Sequence, residues 1–462
     1  MIPLGPIAMS HTASNPPIIN LWPNQKPQSQ NLSIEGLVDF QRRKFREYQK
    51  ILLERYQEKR IESPLLTLIE SLEDCRALGL IEDKEYFVKG LILKVREMNK
   101  ALSVQIGDST SVVVLTVVKE RVEDWKSIVP GGVLGFIIKI RDNDQIARSG
   151  TKKDHTRSPL EGYLASKTTV HHYLVGELVF PSFRKRVTKR DPLGKGIVVL
   201  ADIHCGSKTH IAGDFISMID HINSDKSIGY VIIAGDTVDG KYVYRDHEYD
   251  LEVVDISAQY EMLGSYLASI RPDIKIALSM GNHDGMSNRK QPQIWPQEII
   301  STIKSFRPDV LFVSNPGFVQ IGEYRFLIYH GASFDPLIAQ NESLSYDRPE
   351  LIADLLLKYR NLCPPTNIVP IMPTSNLYHV VPEDTDYLLT GHIHKRQVAE
   401  IHAGRYAVCA GAWQHLTDFQ KRVGFLPDYS IMDVIYPGNP EKDYCKNFTS
   451  DVTDKYKHSE IN

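Results

Sequence analysis

Apolar residues between positions 35 and 62 recur every three to four places among many Arg, Lys and Glu. Leu37, Phe40, Tyr48, Ile51 and Leu52 fall near one face, a spacing that predicts an amphipathic helix. A second, shorter helix is expected over 64–80, with Leu65, Leu66, Leu68, Ile69 and Leu72 turned inward. It would pack on its own chain or on a partner. From Tyr86 to Phe180 the pattern changes to short apolar runs at 87–93, 102–106, 112–118, 133–138 and 173–179. Gly107-Asp108, Pro130-Gly131-Gly132 and Asn143-Asp144 punctuate them, so they read as strands. Short strands so close together predict a small closed barrel, an OB-fold before other choices, though a small β-sandwich would give the same pattern. The polar stretch 146–168 is expected to be a long loop. Residues 1–34, rich in Pro, Asn, Ser and Gln, are expected to be a flexible tail.

After Gly196 the pattern becomes strand, loop, helix, repeated. Strands are expected at 197–201, 229–234, 274–279, 310–313, 325–329, 386–389 and 406–410, and helices at 214–222 and 257–270. This is a layered α/β domain, in which ligands sit on loops beyond the carboxyl ends of strands. The expected division is a tail (1–34), a helical region (35–84), the barrel with a basic linker (85–190) and the α/β domain (191–462).

Composition changes this picture little. A chain of 462 residues exceeds one average domain, and 42% apolar with 24% charged residues is ordinary for a globular protein. The net charge of −3 excludes a globally basic nucleic-acid binder, so any basic surface is local. Five of the eight residues 183–190 are basic. They form either a solvated hinge or a contact to backbone phosphates. Cys75, Cys205, Cys363, Cys409 and Cys445 are scattered and odd in number, which fits a reducing cytoplasm better than a disulfide framework. No apolar run is long enough to span a bilayer, and no secretory signal is apparent, so a membrane partner is not expected.

The chemistry lies in five short segments, each after an apolar run: Asp202-Ile203-His204, Gly235-Asp236-Thr237-Val238-Asp239, Gly281-Asn282-His283-Asp284, His330-Gly331 and Gly391-His392-Ile393-His394. In extended backbone, residues two apart point to the same side, so Asp202 with His204, and His392 with His394, can each grip one ion. The Asp236 carboxylate has two oxygens and can bridge two cations. Asn282 offers a neutral carbonyl oxygen. Such mixed sets suit Mn, Fe, Zn or Co better than Mg. Two divalent metals held together are equipment for cleaving a phosphate ester. His283 is placed to protonate a leaving oxygen, Asp284 to orient that imidazole, and Asp239 to steer a ligand or loop. A lone His after a strand is usually structural, and His171, His172, His221, His247, His379, His402 and His415 are read that way. Five such segments in order are not an accident.

The set resembles the calcineurin-like metallophosphoesterases. Within them, Asp202-Ile203-His204-Cys205-Gly206-Ser207-Lys208-Thr209, Ala234-Gly235-Asp236-Thr237-Val238-Asp239-Gly240, Ser314-Asn315-Pro316-Gly317 and Ile328-Tyr329-His330-Gly331 look like blocks of the small subunits of archaeal family D DNA polymerase. So do Gly411-Ala412-Trp413-Gln414 and Asp418-Phe419-Gln420-Lys421. The resemblance spans about residues 85–435. It implies a four-layer α/β/β/α domain behind an OB-fold, and a cytoplasmic, nucleoid-associated 3′–5′ proofreading exonuclease. The implied partners are a large catalytic subunit and DNA, chiefly single-stranded 3′ ends. One metal would take Asp202, His204, Asp236 and His394, the other Asp236, Asn282, His330 and His392, with His283 as general acid. Related B-subunits of eukaryotic polymerases have lost these ligands; this chain has them all. The mostly aliphatic barrel strands favour docking the partner over binding a strand. Two other readings stay open: a small-molecule phosphodiesterase on the same fold, and a non-catalytic assembly subunit.

Overall fold

The computed structural model describes residues 15–23, 34–77, 84–141, 172–184, 190–284, 293–362 and 381–449. Part of the expected tail is ordered: Ile18–Asn20 (β1) is a strand, which corrects the reading of 1–34 as flexible throughout. Ile34–Glu62 (α1) is the predicted helix. Its Tyr48, Leu52 and Tyr56, spaced four apart, form one stripe and close a small core with Phe87, Val133, Ile137 and Val179. The second predicted helix is also corrected. Thr67–Leu68 (β2) is a strand and, among the described residues of that span, only Leu72–Ala77 (α2) is helical, while Leu65 is exposed. The Asp108 carboxylate accepts from the Leu72 amide at 2.8 Å, a long-range bond that fixes where α2 begins.

The expected strands follow: Glu85–Glu97 (β3), Ala101–Gly107 (β4), Val112–Val118 (β5), Val133–Arg141 (β6) and His172–Val179 (β7). Alternate residues of β4 and β5, among them Val104, Ile106, Leu115 and Val117, are buried together, as a period of two requires. β3 pairs with both β4 and β6, β4 with β5, β5 with β7 in parallel, and β7 with β6. The pairings therefore run round a ring. The predicted loop at 146–168 lies outside the described residues.

The remainder is built from two mixed sheets. Gly196–Leu200 (β8), Ile228–Ala234 (β9), Lys275–Ser279 (β10) and Leu311–Phe312 (β11) are parallel, and Ile431–Ile435 (β17) and Tyr444–Asn447 (β18) complete that sheet in the order β11-β10-β9-β8-β17-β18. The other sheet runs β1-β12-β13-β14-β16-β15, from Gly317–Ile321 (β12), Tyr324–Ile328 (β13), Tyr387–Thr390 (β14), Gln397–Ile401 (β15) and Arg405–Cys409 (β16). Ile197, Val199, Ile232 and Ala234 of the first sheet meet Val319, Phe326, Ile328, Leu389 and Val408 of the second in one core. The outer face of the first is covered by Ala212–Ser224 (α3), Ile256–Ser269 (α4) and Gln297–Phe306 (α5). Phe334–Ile338 (α6) and Pro349–Lys358 (α7) cover the second, where the five-stranded unit also joins the core. β8 and β9 have both faces covered, which is why they are apolar at nearly every position.

The two units are tied where the basic linker begins. Phe183 lies under the guanidiniums of Arg405 and Arg360, at 3.8 and 5.0 Å from its ring centre. Glu383 accepts from Arg360 at 2.7 Å and from the Arg184 amide at 2.9 Å, and the Arg184 side chain pairs with Glu54 and Glu58 of α1. Arg190 pairs with Asp386 at 2.7 Å. The two described arginines of the linker are thus held by acids of the chain itself. Lys185, Arg186 and Lys189 lie outside the described residues.

Candidate metal centre

Every predicted segment sits just beyond the carboxyl end of a strand. Asp202 and His204 follow β8, Asp236 follows β9, Asn282 to Asp284 follow β10, His330 follows β13, and His392 and His394 follow β14. Asp202, His204, Asp236, His392 and His394 all have left-handed backbone, with φ of 51, 52, 49, 74 and 52°. That conformation costs an ordinary residue on the order of 1 kcal/mol or more, and such strain gathers where function needs it. Gly281 and Gly391 permit the close approach. A Cβ on Gly281 would stand 2.1 Å from Asp236 Oδ1, and one on Gly391 would stand 2.4 Å from the Ala201 Cβ.

The side chains converge into three adjoining groups, Asp202–His204–His394, Asp236–His330–His392 and, sharing His204, His204–Asp239–His283, with the ligand atoms of each within 4.8 Å of one another. His394 Nε2 lies 3.4 Å from Asp202 Oδ1, and His330 Nε2 lies 3.0 Å from Asp236 Oδ2. Asp202 Oδ1 is also 3.9 Å from His330 Nε2, so the groups touch. Asp202 Oδ1, Asn282 Oδ1 and His330 Nε2 are buried without a hydrogen-bond partner. His330 Nδ1 donates to the Ala234 carbonyl at 2.8 Å, which leaves Nε2 with a bare lone pair facing carboxylate oxygens. Lone pairs directed at one another in a dry pocket require a cation between them, either a proton on Nε2 or a metal ion. The residues therefore fit divalent metal binding; Mn, Fe and Zn are all compatible with this donor set.

The electrostatics agree. Burial opposes protonation of His330, but the charges of Asp236 and Asp202 outweigh it and push the imidazole up to about 10. Burial likewise opposes charge on His283, and Asp236 and Asp239 push it up to about 9. Burial works against the Asp202 and Asp236 anions, yet the neighbouring histidines hold both carboxyls below the ordinary range. Burial lowers His204, against the pull of Asp239.

The structure reassigns the supporting roles. Asp284, expected to orient His283, does not touch it. Its carboxylate accepts from the Thr237 amide and hydroxyl and the Gly281 amide, bracing the Asp236 and Asn282 loops against each other. Burial and the Asp236 charge push Asp284 up to about 6. The residue that orients His283 is Asp239: its carbonyl accepts from His283 Nδ1 at 2.7 Å, and its carboxylate lies 2.8 Å from His204 Nδ1. His247, read as structural or surface, is fully buried behind the centre, its Nε2 3.5 Å from Asp239 Oδ2. Two further residues had no role from sequence. Asp335 Oδ2 lies 3.0 Å from His392 Nε2 while the Tyr346 hydroxyl donates to Asp335 Oδ1 at 2.9 Å. Gln420, held by a capping box in Asp418–Val423 (α8), reaches His394 Nδ1 at 2.8 Å. Neither adjoins a ligand segment in sequence, so only the fold brings them in.

The fold and centre define a class, and residues 196–396 match the family model of the calcineurin-like phosphoesterases. The chain is 34% identical over 364 residues to the DNA polymerase II small subunit of Methanocaldococcus jannaschii, covering 76% of this chain and 57% of that one. It is 35% identical over 253 residues to the protein of the same name from Archaeoglobus fulgidus, covering 52% and 51%, and 26% identical over 385 residues to that from Pyrococcus abyssi, covering 79% and 57%. The chain is thus similar to curated proteins named DNA polymerase II small subunit, and its residues 196–396 match a calcineurin-like phosphoesterase domain. It spans a little over half the length of these relatives. Among the described residues, no helix is long and apolar enough to cross a membrane.

Proposed function

We propose that the chain is a metal-dependent 3′–5′ exonuclease acting on DNA within a polymerase assembly. The observation that carries this reading is the complete ligand set, with three of its donor atoms buried and otherwise unsatisfied. Asp202, His204 and His394 with Asp236 would hold one divalent ion, and Asp236, Asn282, His330 and His392 the other. When bound, such ions neutralise charge on a phosphodiester and act as Lewis acids towards its oxygens. The chain's own residues do the rest. Asp236 would be shared between the two ions and is fixed by the His283 amide, which donates to Oδ1 at 2.7 Å. His283, anchored through Nδ1, has Nε2 left to give a proton to the departing 3′ oxygen. Asp284 keeps the two loops in register. A large catalytic subunit is the partner that the relatives' names supply. The pairing order of the five-stranded ring, with β5 and β7 parallel, supports the OB-fold reading, and its aliphatic strands favour a docking role.

The test is incubation with Mn²⁺ and an end-labelled primer–template carrying a 3′ mismatch, with and without the large subunit. A 3′–5′ ladder is expected. Asp236→Ala should abolish it and lose metal. His283→Ala should keep its metal and slow cleavage by about two to four decades, the usual worth of a placed general acid. Intact assembly without cleavage in either condition would assign the chain a purely structural role.

A further inference from the structure

His392 is gripped between the loop that carries it and the loop that carries His330. The Gly391 amide donates to the His330 carbonyl at 2.9 Å, and the His392 amide donates to Asp202 Oδ2 at 2.9 Å. A Cβ on Gly331 would stand 3.2 Å from the His392 Cβ, so the two loops lie in contact. In the first turn of α6, a few residues beyond His330, the Asp335 carboxylate reaches the His392 ring, with Oδ2 3.0 Å from Nε2. The other oxygen, Oδ1, accepts from the Tyr346 hydroxyl at 2.9 Å. Tyr346 is itself fixed: it stacks on Phe425 with ring centres 4.5 Å apart and planes 6° from parallel. Among the described residues, none of the groups able to hold an ion includes Asp335. Its route to an ion therefore runs through His392.

We propose that Asp335 is a positioning residue for the ion that Asp236, Asn282, His330 and His392 would hold, and that Tyr346 keeps its carboxylate aimed for that task. This inference rests on the metal-binding reading of the centre and not on the nature of the substrate. An ionised carboxylate only accepts, so the proton of the neutral His392 ring stays on Nε2 and the lone pair on Nδ1 is left for the ion. Without Asp335 both tautomers are open and the ring is free to turn, so an arriving ion meets an N–H for part of the time. At the other ion the same service falls to Asp239, which faces His204 Nδ1 at 2.8 Å. The two services differ in setting: the Asp239 side chain is 4% exposed and that of Asp335 44%. The two ions differ as well. One has Asp202 to itself and a share of Asp236, while the other has only the share, beside neutral Asn282 and two histidines. Affinity for a divalent ion rises with the charge of its ligands, so the ion beside His392 is the second to bind.

The experiment is calorimetric titration of the metal-free full chain with Mn²⁺, with thermal unfolding of the same metal-free samples. The parent is expected to show two binding events. Asp335→Ala should weaken the second about tenfold, the lower end of what losing a carboxylate behind a ligating histidine costs, because this one is half-exposed. The first event should stay within about threefold of the parent. Asp335→Asn, whose amide oxygen also accepts from Nε2, should keep the second event within about threefold. Tyr346→Phe should weaken it in the same direction, by less than Asp335→Ala does. The metal-free variants should unfold at the parent's temperature, so that the loss of affinity reads the ring and not the fold. An unchanged second event in Asp335→Ala overturns the proposal. So does a tighter one, which would show Asp335 competing with the ion for Nε2. An equal loss from both events overturns it as a general loosening of the centre, and an Asn variant as weak as the Ala variant overturns it in favour of bare charge. Failure of the parent to take up Mn²⁺ would instead remove the metal-binding reading itself, and the proposal with it.

Discussion

At the scale of single residues, the ligands were legible and their supports were not. Asp202, His204, Asp236, Asn282, His330, His392 and His394 announce themselves because each follows an apolar strand and several come two apart. Asp239 and Asp284 were visible as acids near the site, but which one serves His283 depends on which way a turn points its carbonyl. That direction is a property of the folded loops. Asp335 and Gln420 are brought in by α6 and α8, far from the ligands they touch. Asp239 now has a sharp consequence, since it faces both His204 and His283. Asp239→Ala should weaken the first-bound Mn²⁺ by about 10–100-fold in calorimetry, as removing a carboxylate behind a ligating histidine does. A loss below about threefold would show that the His204 ring is held by its packing instead.

At the scale of elements, the strands were read more reliably than the helices. A period of two, or a run buried on both faces, needs only local apolar residues. β12, β15, β17 and β18 escaped because their sequences mix in polar residues, as in Gln397–Ile401. The helix expected at 64–80 failed for a related reason: Thr67–Leu68 finds a sheet edge beside β3, and tertiary pairing outweighs weak helical preference. Asp108, at the β4–β5 turn, then sets where α2 starts. Burial alone would raise its carboxyl, but donors from Thr110, Leu72 and Ser111 hold it below the ordinary value. A carboxyl lowered by folding contributes stability that is complete above about pH 4 and is lost as pH falls through its folded value. Asp108→Ala should therefore cost roughly 1 kcal/mol at pH 7, on the scale of a lost helix cap, and the gap from the parent should narrow in urea titrations below about pH 4. A gap that does not depend on pH would mean that the turn, not the charge, matters.

At the scale of the whole molecule, one of the junctions between the two units gathers around Glu383, and it was not visible as a contact in the sequence. Glu383→Ala leaves the buried Arg360 guanidinium, among the described residues, with its bond to the Val381 carbonyl at 2.9 Å and the face of the Phe183 ring. A loss of about 1–3 kcal/mol in urea unfolding is expected, the usual cost of stranding a charged donor. An unmoved midpoint would show that water replaces the carboxylate without penalty. The most distant tie is β1, which runs antiparallel to β12 through Ile18–Ile321, Ile19–Gln320 and Asn20–Val319, and is followed by Trp22 resting on Phe318 with ring centres 5.2 Å apart. A shortened chain starting at residue 85 would keep every ligand yet bare a row of amides and carbonyls along 317–321. Bare edges recruit other edges. Such a truncation should sediment as self-associated species where the full chain does not, so nine residues near the start act as this sheet's guard against its own copies.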